Sequence, residues 1–333
     1  MHLVVGPTRL FHADRGDARE RLDRVLVRHL ADLPEVSRTQ IQAWIEGGRV
    51  RVNGAAAAKA AERVGQGDAV EVVLPPPPPP RPRAEAEELP LSVLYEDEHL
   101  LAVDKPAGLV VHPAFGHRRG TLVNALLWHA RAWGDEARRP TLVHRLDKDT
   151  SGVLLVAKTA AAHASLARAM KARTIKKEYL AIVYGRPRKA SGRIERRIGR
   201  DPADRKRMMV SEAAGQQALT LYEQLATTAP DAAPLSLLRC LLQTGRTHQI
   251  RVHLQAHGLP LVGDPLYSAP RYKGIDDPAL AALCREFPRQ ALHAHRVTFR
   301  HPATGAAVTV GAPVPDDLAA LAAAAGLALP TTQ

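Results

Sequence analysis

Residues Thr141–Lys158 read TLVHRLDKDTSGVLLVAK. Arg145 stands two residues before an acid, Asp147, and Lys148, Asp149, Thr150 and Ser151 continue a polar turn that closes at Gly152. Val153–Ala157 follows as a short, unbroken apolar run. A run of that length with turn residues in front of it predicts a buried strand. A carboxylate therefore sits on a tight loop at the mouth of a core strand, the kind of place where a rigid scaffold holds a reactive group. An aspartate in a turn is as readily a plain turn residue, so the flanking segments have to decide.

Downstream, Thr159 is a cap for a helix over 160–173 that carries Arg168, Lys171 and Arg173. KKEYLAIVYG, residues 176–185, alternates Tyr179, Ala181 and Val183 and predicts a strand. GRIERRIGRDPADRKRMMV, residues 192–210, has the turn residues and alternating cations of a loop-rich hairpin. Pro234–Leu242 predicts a further strand, running into TGRTHQIRVHLQAHG, residues 244–258, where Ile250 and Leu254 share a helical face and Gly258 is the stop. His248, His253 and His257 fall in this segment. No carboxylate or thiol completes a ligand set and their spacing is not that of a zinc motif, so no metal is expected. Upstream, Leu91–Tyr95 and Leu100–Val103 predict two strands, and DKPAGLVVHPAFGHRRGTLVNALLWHA, residues 104–130, holds a helix from Thr121 to Ala130. Lys105 and His112 in that segment are expected to be structural.

Six consecutive prolines, Pro75–Pro80, permit only an extended polyproline spacer and divide the chain. Before them, Leu22, Val25, Leu26 and Leu30 recur at helical spacing, and Pro34 ends that helix. Ser37 caps a second helix with Ile41, Trp44 and Ile45 on one face. Arg49–Val52 alternates into Asn53–Gly54, a strong hairpin signal, with Val70–Leu74 as the returning strand. The expected organisation is a loose lead-in over 1–18, a small domain over 19–74, a proline-rich linker over 75–90 and a large domain over 91–325.

The formal net charge is +12, which calls for a polyanionic partner such as RNA or DNA. Between Leu166 and Val210 fifteen Lys or Arg face four Asp or Glu, so nearly the whole excess lies in one segment. The small domain is close to balanced. Cys240 and Cys284 are far apart and form no C-x-x-C pair. No apolar run approaches the ~20 residues of a membrane span. These features predict a protein of the reducing cytoplasm; a monomer is expected.

HRLDKDTSGVLLVAK closely resembles the signature of the RluA-type RNA pseudouridine synthases. KPAGLVVHP, KEYLAIV, TGRTHQIRVH with LVGDPLY, and RQALHAHRVTFRHPATG resemble further motifs of that family. RLDRVL, SRTQIQAWIEGGRVRVNG and GDAVEVVLP resemble an S4 RNA-binding domain. The resemblance covers roughly residues 19–321 and implies an α+β chain: a small S4-type domain, then a mixed, mainly antiparallel sheet with flanking helices. It implies Asp147 as catalytic carboxylate, Tyr179 against the target base, Arg246 paired with Asp147, and Arg145 in the space left by a flipped-out uridine. Arg251, in the same motif as Arg246, is the other candidate partner for Asp147. Arg38, Arg49 and Arg51 of the S4 segment, and Lys176 and Lys177 of the basic segment, would contact RNA. The implied reaction isomerises uridines of large-subunit ribosomal RNA. A transfer-RNA or other ribosomal-RNA site is the alternative, and a non-catalytic S4-type RNA-binding protein the remoter one. The reaction has no redox change and no transfer to a second molecule, so no cofactor is expected, and neither G-x-G-x-x-G nor G-x-x-x-x-G-K-[ST] occurs where it would bind one.

Overall fold

A computed structural model describes residues 7–33, 36–76, 84–113, 118–134, 139–229, 233–269 and 271–330. The chain divides into two units, residues 1–83 and 84–333.

The first unit contains β1 (Thr8–His12), α1 (Leu22–His29), α2 (Arg38–Glu46), β2 (Val50–Val52), β3 (Ala55–Ala56) and β4 (Ala69–Val73), with an antiparallel sheet ordered β1-β4-β2-β3. Helix α2 starts at Ser37, which forms a reciprocal capping box with Gln40. Leu22, Leu26, Ile41, Ile45, Val50, Val70 and Val72 form its core. Two details depart from expectation. Asn53 and Gly54 both have positive φ, +52° and +82°, and so make a two-residue turn that folds Ala55–Ala56 straight back onto β2. The strand expected as the return, β4, instead pairs with the other edge of β2. The lead-in, expected to be loose, carries β1, which covers the edge of β4 that would otherwise leave its backbone groups unpaired. Pro34 and most of the proline run lie outside the described residues.

The second unit begins before the expected boundary. Residues 84–90 pack on its first helix: the Asn124 side chain donates to the Glu85 carbonyl at 2.7 Å, and the Glu87 N–H donates to the Asn124 carbonyl at 3.0 Å. In chain order follow β5 (Ser92–Glu96), β6 (Leu100–Lys105), α3 (Leu122–His129), β7 (Thr141–Leu142), β8 (Ser151–Ala157), α4 (Ala160–Lys171), β9 (Lys176–Tyr184), β10 (Ser191–Arg200), β11 (Met208–Ser211) and β12 (Gln216–Thr227). The unit closes with β13 (Leu235–Leu242), α5 (Gln249–Ala256), α6 (Pro278–Glu286), β14 (Leu292–Arg300), β15 (Ala307–Gly311) and α7 (Asp316–Ala324). Its eleven described strands form one sheet, β11-β10-β12-β13-β9-β14-β8-β6-β5, with β15 beside β14 and β7 beside β8. Among the described strands only β8 and β14 run parallel, which makes the sheet mixed and mainly antiparallel.

All seven residues of β8 are buried, because helices cover both faces of the sheet there. Leu154 and Val156 pack with Tyr179, Ala181 and Val183, under Leu122 and Leu126 of α3 and Ile250 and Leu254 of α5. On the opposite face Val153 and Leu155 pack with Leu166 of α4 and with Val297 and Phe299. The segment expected as a loop-rich hairpin is a hairpin, but its first arm is a regular ten-residue strand, β10, which pairs with β11 across the loop 201–207. Only Ile194 and Ile198 mark its buried side, too few apolar residues to reveal the period, and pairing with β12 is what straightens it. Arg193, Arg196, Arg197 and Arg200 remain exposed along β10.

Candidate active site

The loop that carries Asp147 is fixed by its backbone. Thr150 N–H closes the turn onto the Asp147 carbonyl at 3.1 Å. Lys105 is fully buried, and its ammonium donates to the carbonyls of Pro106, Leu109 and Lys148 at 2.7, 3.0 and 2.7 Å. Burial draws its pKa down to about 8, against the pull of Asp149 and Asp147. Arg289 donates to the Asp149 carbonyl at 3.3 Å while its Nε and Nη2 hold Asp317 of α7. The Gln290 side chain donates to the Thr150 hydroxyl at 3.0 Å, and Ser151 Oγ bonds His293 Nδ1 at the same distance. Four residues in succession are thus held from elsewhere in the unit. His144, just before, accepts from the Leu155 N–H at 3.2 Å, and burial lowers its pKa to about 3, so it is a neutral ring.

Asp147 lies in a cleft of about 250 Å³ lined by Arg145, Met170, Lys177, Tyr179, Arg246 and Leu292 among others. Its partner is Arg251, whose Nη1 donates to Oδ2 at 3.1 Å. Nε and Nη2 of the same guanidinium grip both oxygens of buried Asp264 at 2.7 and 2.9 Å. Asp264 is itself set by the N–H groups of Leu266 and Tyr267. Burial works against the charge on Arg251, but Asp264 and then Asp147 outweigh it and hold its pKa above the ordinary arginine value. Arg246, expected as the partner, does not fill that role. It is exposed in the turn before α5, and its Nε donates to the Gln217 carbonyl at 3.3 Å. The reason is the phase of the helix: Arg251 is on the inward face of α5, where Asp264 meets it, while Arg246 stays at the cleft mouth.

Tyr179 projects from β9 into the cleft, 5% exposed, and burial with the nearby Asp147 charge raises its pKa above the tyrosine range. Lys177, two residues earlier and so on the same side of the strand, is 6% exposed, lines the cleft and has no hydrogen-bond or carboxylate partner among the described residues. Burial lowers its pKa to about 8. Lys176 points the other way and is exposed, as is Arg145 at the cleft. In the first unit Arg49 and Arg51 are exposed. Arg38 is tied down: buried Asp23 accepts from Arg38, Arg21 and Gln42 together, and Arg21 first among them keeps the Asp23 pKa far below the carboxylate range.

The three histidines of the 244–258 segment have separate partners: His248 bonds Tyr267, His253 bonds Thr220, and His257 lies against Tyr222. Among the described residues Asp14, Asp17 and His29 of the first unit converge closely enough to share an ion, but Arg28 already bonds both carboxylates. Asp264, Tyr267, Arg289 and Asp317 escaped the sequence reading. For Asp264 a signal existed, an Asp after Gly263 and before a proline, which is turn chemistry.

The family described as RNA pseudouridylate synthase matches residues 99–256, and the S4 domain family matches residues 20–70. "Ribosomal large subunit pseudouridine synthase D" of Nitrosomonas europaea is 44% identical over 90% of this chain and 83% of its own length. "Uncharacterized RNA pseudouridine synthase YlyB" of Bacillus subtilis is 43% identical over 91% of this chain and 93% of its own. The solved structure of human RNA pseudouridylate synthase domain containing 1 superposes with a TM-score of 0.52 at 27% identity, covering 68% of this chain and 85% of that one. The chain belongs to the RNA pseudouridine synthase family and is an RNA pseudouridine synthase with an N-terminal S4 domain.

Proposed function

We propose that this protein converts specific uridines of large-subunit ribosomal RNA to pseudouridine in the cytoplasm, as a monomer, with Asp147 as the catalytic carboxylate. The observation that carries the chemistry is a half-buried carboxylate held by Arg251 in a cleft with an aromatic wall and an unpaired lysine. The RNA target rests on the names of the relatives from Nitrosomonas europaea and Pseudomonas aeruginosa, both large-subunit enzymes.

Isomerisation breaks the N1–C1′ bond, turns the uracil and joins C5 to C1′, with the C5 proton exchanged for one on N1. Atoms and electrons balance within one nucleotide, so no cofactor enters. The protein has to supply one ionised carboxylate near the ribose, as nucleophile or base. Burial favours the neutral acid, and the Arg251 guanidinium opposes it. Tyr179 gives the uracil a face to stack on, worth ~1–3 kcal/mol per base. The target nucleotide is flipped out of its stack to reach the cleft, and Arg145 fills the space it leaves. Lys177, a buried cation without a counter-charge, takes an oxygen of the bound nucleotide, since a charge left unpaired in that setting is costly. Arg246, Lys176 and the exposed arginines of β10 contact phosphates, and Arg49 and Arg51 do so in the S4 unit, where Arg38 is held by Asp23.

Asp147→Asn tests the assignment, because asparagine keeps the shape and loses the anion. Tritium release from C5-labelled uridine RNA should fall to background while RNA binding survives; substantial turnover would remove Asp147 from the mechanism. Comparing pseudouridine maps of ribosomal and transfer RNA from a deletion strain tests the target. Sites lost only in transfer RNA would point to the alternative substrate.

A further inference from the structure

We infer that Asp147 meets its substrate through Oδ1, with Oδ2 held on one side by Arg251 and on the other by a fixed N–H of His248 that Tyr267 orients. The inference rests on Asp147 being the catalytic carboxylate and adds which oxygen reacts and what positions it.

The chain of donors gives the proton positions. Tyr267 Oη accepts the backbone N–H of Met208 at 2.7 Å. Its own proton is then available to His248 Nδ1, 2.9 Å away. With Nδ1 accepting, a neutral imidazole carries its proton on Nε2. That nitrogen lies 3.9 Å from Oδ2 of Asp147, the same oxygen that Arg251 holds at 3.1 Å. Among the described residues no donor reaches Oδ1. The distance from Nε2 exceeds a hydrogen bond, as is common for catalytic contacts that tighten only when substrate binds.

The backbone supports the same reading. His248 has φ +55°, in the left-handed region that residues other than glycine seldom adopt, and it occupies this conformation at the wall of the cleft. Such strain persists where the surroundings over-determine it, typically at a working site. The ring is fixed edge-on to Tyr267, with centroids 5.6 Å apart. The Tyr267 ring also lies under the guanidinium groups of Arg251 and Arg207. One phenol therefore braces both groups that address Oδ2. Burial lowers the His248 pKa, which favours the neutral ring.

The test compares His248→Gln with His248→Asn in the full-length enzyme, reading kcat, RNA affinity and melting temperature, with Asp147→Asn alongside. The Gln amide reaches the place of Nε2 and keeps a donor there, whereas the Asn amide stops near Nδ1. Asn, however, adopts the left-handed conformation more readily. A role as donor to Oδ2 predicts kcat within a few-fold of wild type for Gln and a roughly ten- to hundredfold loss for Asn, with RNA affinity unchanged in both. A purely structural role predicts the opposite order, with Asn the better in melting temperature and kcat, and that result would overturn the inference. If the Gln variant fails to fold, Tyr267→Phe decides. It frees the ring to change tautomer, so a fall in kcat at constant affinity supports the inference and an unchanged kcat defeats it. An active Asp147→Asn enzyme would instead discredit the underlying assignment, whichever way the histidine variants behave.

Discussion

Arg251 spends two of its three nitrogens on Asp264 and the third on Asp147. A lysine has one point of attachment and cannot hold both carboxylates in a plane. Arg251→Lys should therefore lower kcat by about a hundredfold with little change in RNA affinity, whereas Arg246→Lys should cost only a few-fold; single-turnover assays of both variants separate the two. Lys177 makes a prediction of a different kind. Its pKa falls from 10.5 in the unfolded chain to about 8 in the fold, because of burial. Between those two values the unfolded chain binds a proton that the folded one has released, so stability rises with pH across the window. Below about pH 8 both states are charged and the cost of burial is complete, at most about 3 kcal/mol. Lys177→Met should then stabilise the free protein at pH 7, with the gap closing as the pH approaches 10.5, while weakening binding of substrate RNA. Denaturant unfolding at several pH values reads the first effect and filter binding the second. A variant less stable than wild type at pH 7 would contradict the idea that Lys177 awaits a ligand.

At the scale of elements, the parallel junction of β8 and β14 positions the catalytic loop. Gly152 sits there with φ +111°, and a Cβ at that position would lie 2.2 Å from the Ala294 carbonyl oxygen. The obstacle is backbone within the sheet, so no rotamer change relieves it. Gly152→Ala should cost at least ~4 kcal/mol, among the larger effects of single substitutions, and lower the melting temperature of the second unit by roughly 10 °C. Calorimetry checks this; a variant within two or three degrees of wild type would mean that β14 can move aside. Activity should suffer more than stability, because the same displacement carries Thr150 and Ser151 away from Gln290 and His293.

For the whole molecule, the distribution of charge divides the labour. The basic excess of residues 166–210 falls on α4, β9, β10 and the connections that follow each of them, all in the second unit, while the S4 unit is nearly neutral and spends Arg21, Arg28 and Arg38 on its own carboxylates. The second unit should hence supply most of the phosphate affinity and the S4 unit mainly register. Deleting residues 1–83 should leave an enzyme that still isomerises uridine and keeps most of the steep salt dependence of binding, but modifies its sites less completely. Pseudouridine maps made with full-length and truncated protein, together with binding at several salt concentrations, test both parts. Loss of RNA binding in a folded truncated protein would place the anchor in the S4 unit instead.

Much of this was readable locally. The turn around Asp147, the buried run of β8 and the caps of α2 and α4 depend on residues within a few positions of one another, where propensity and hydrophobic period act directly. The one-sided charge of residues 166–210 was equally plain. What escaped depends on partners far apart in the chain. Arg246 and Arg251 share a motif, and nothing within it says which reaches Asp147; that waited on the phase of α5 and on Asp264, brought to Arg251 by a loop whose backbone is hydrogen-bonded to β9. Lys105, Arg289, Gln290 and His293 hold the catalytic loop across separations of 43 to 142 residues. The sequence by itself determined which carboxylate lies at the mouth of the core strand. Only the tertiary structure decided which groups hold it, because a buried charge takes its partner from whatever folding brings within about 3 Å.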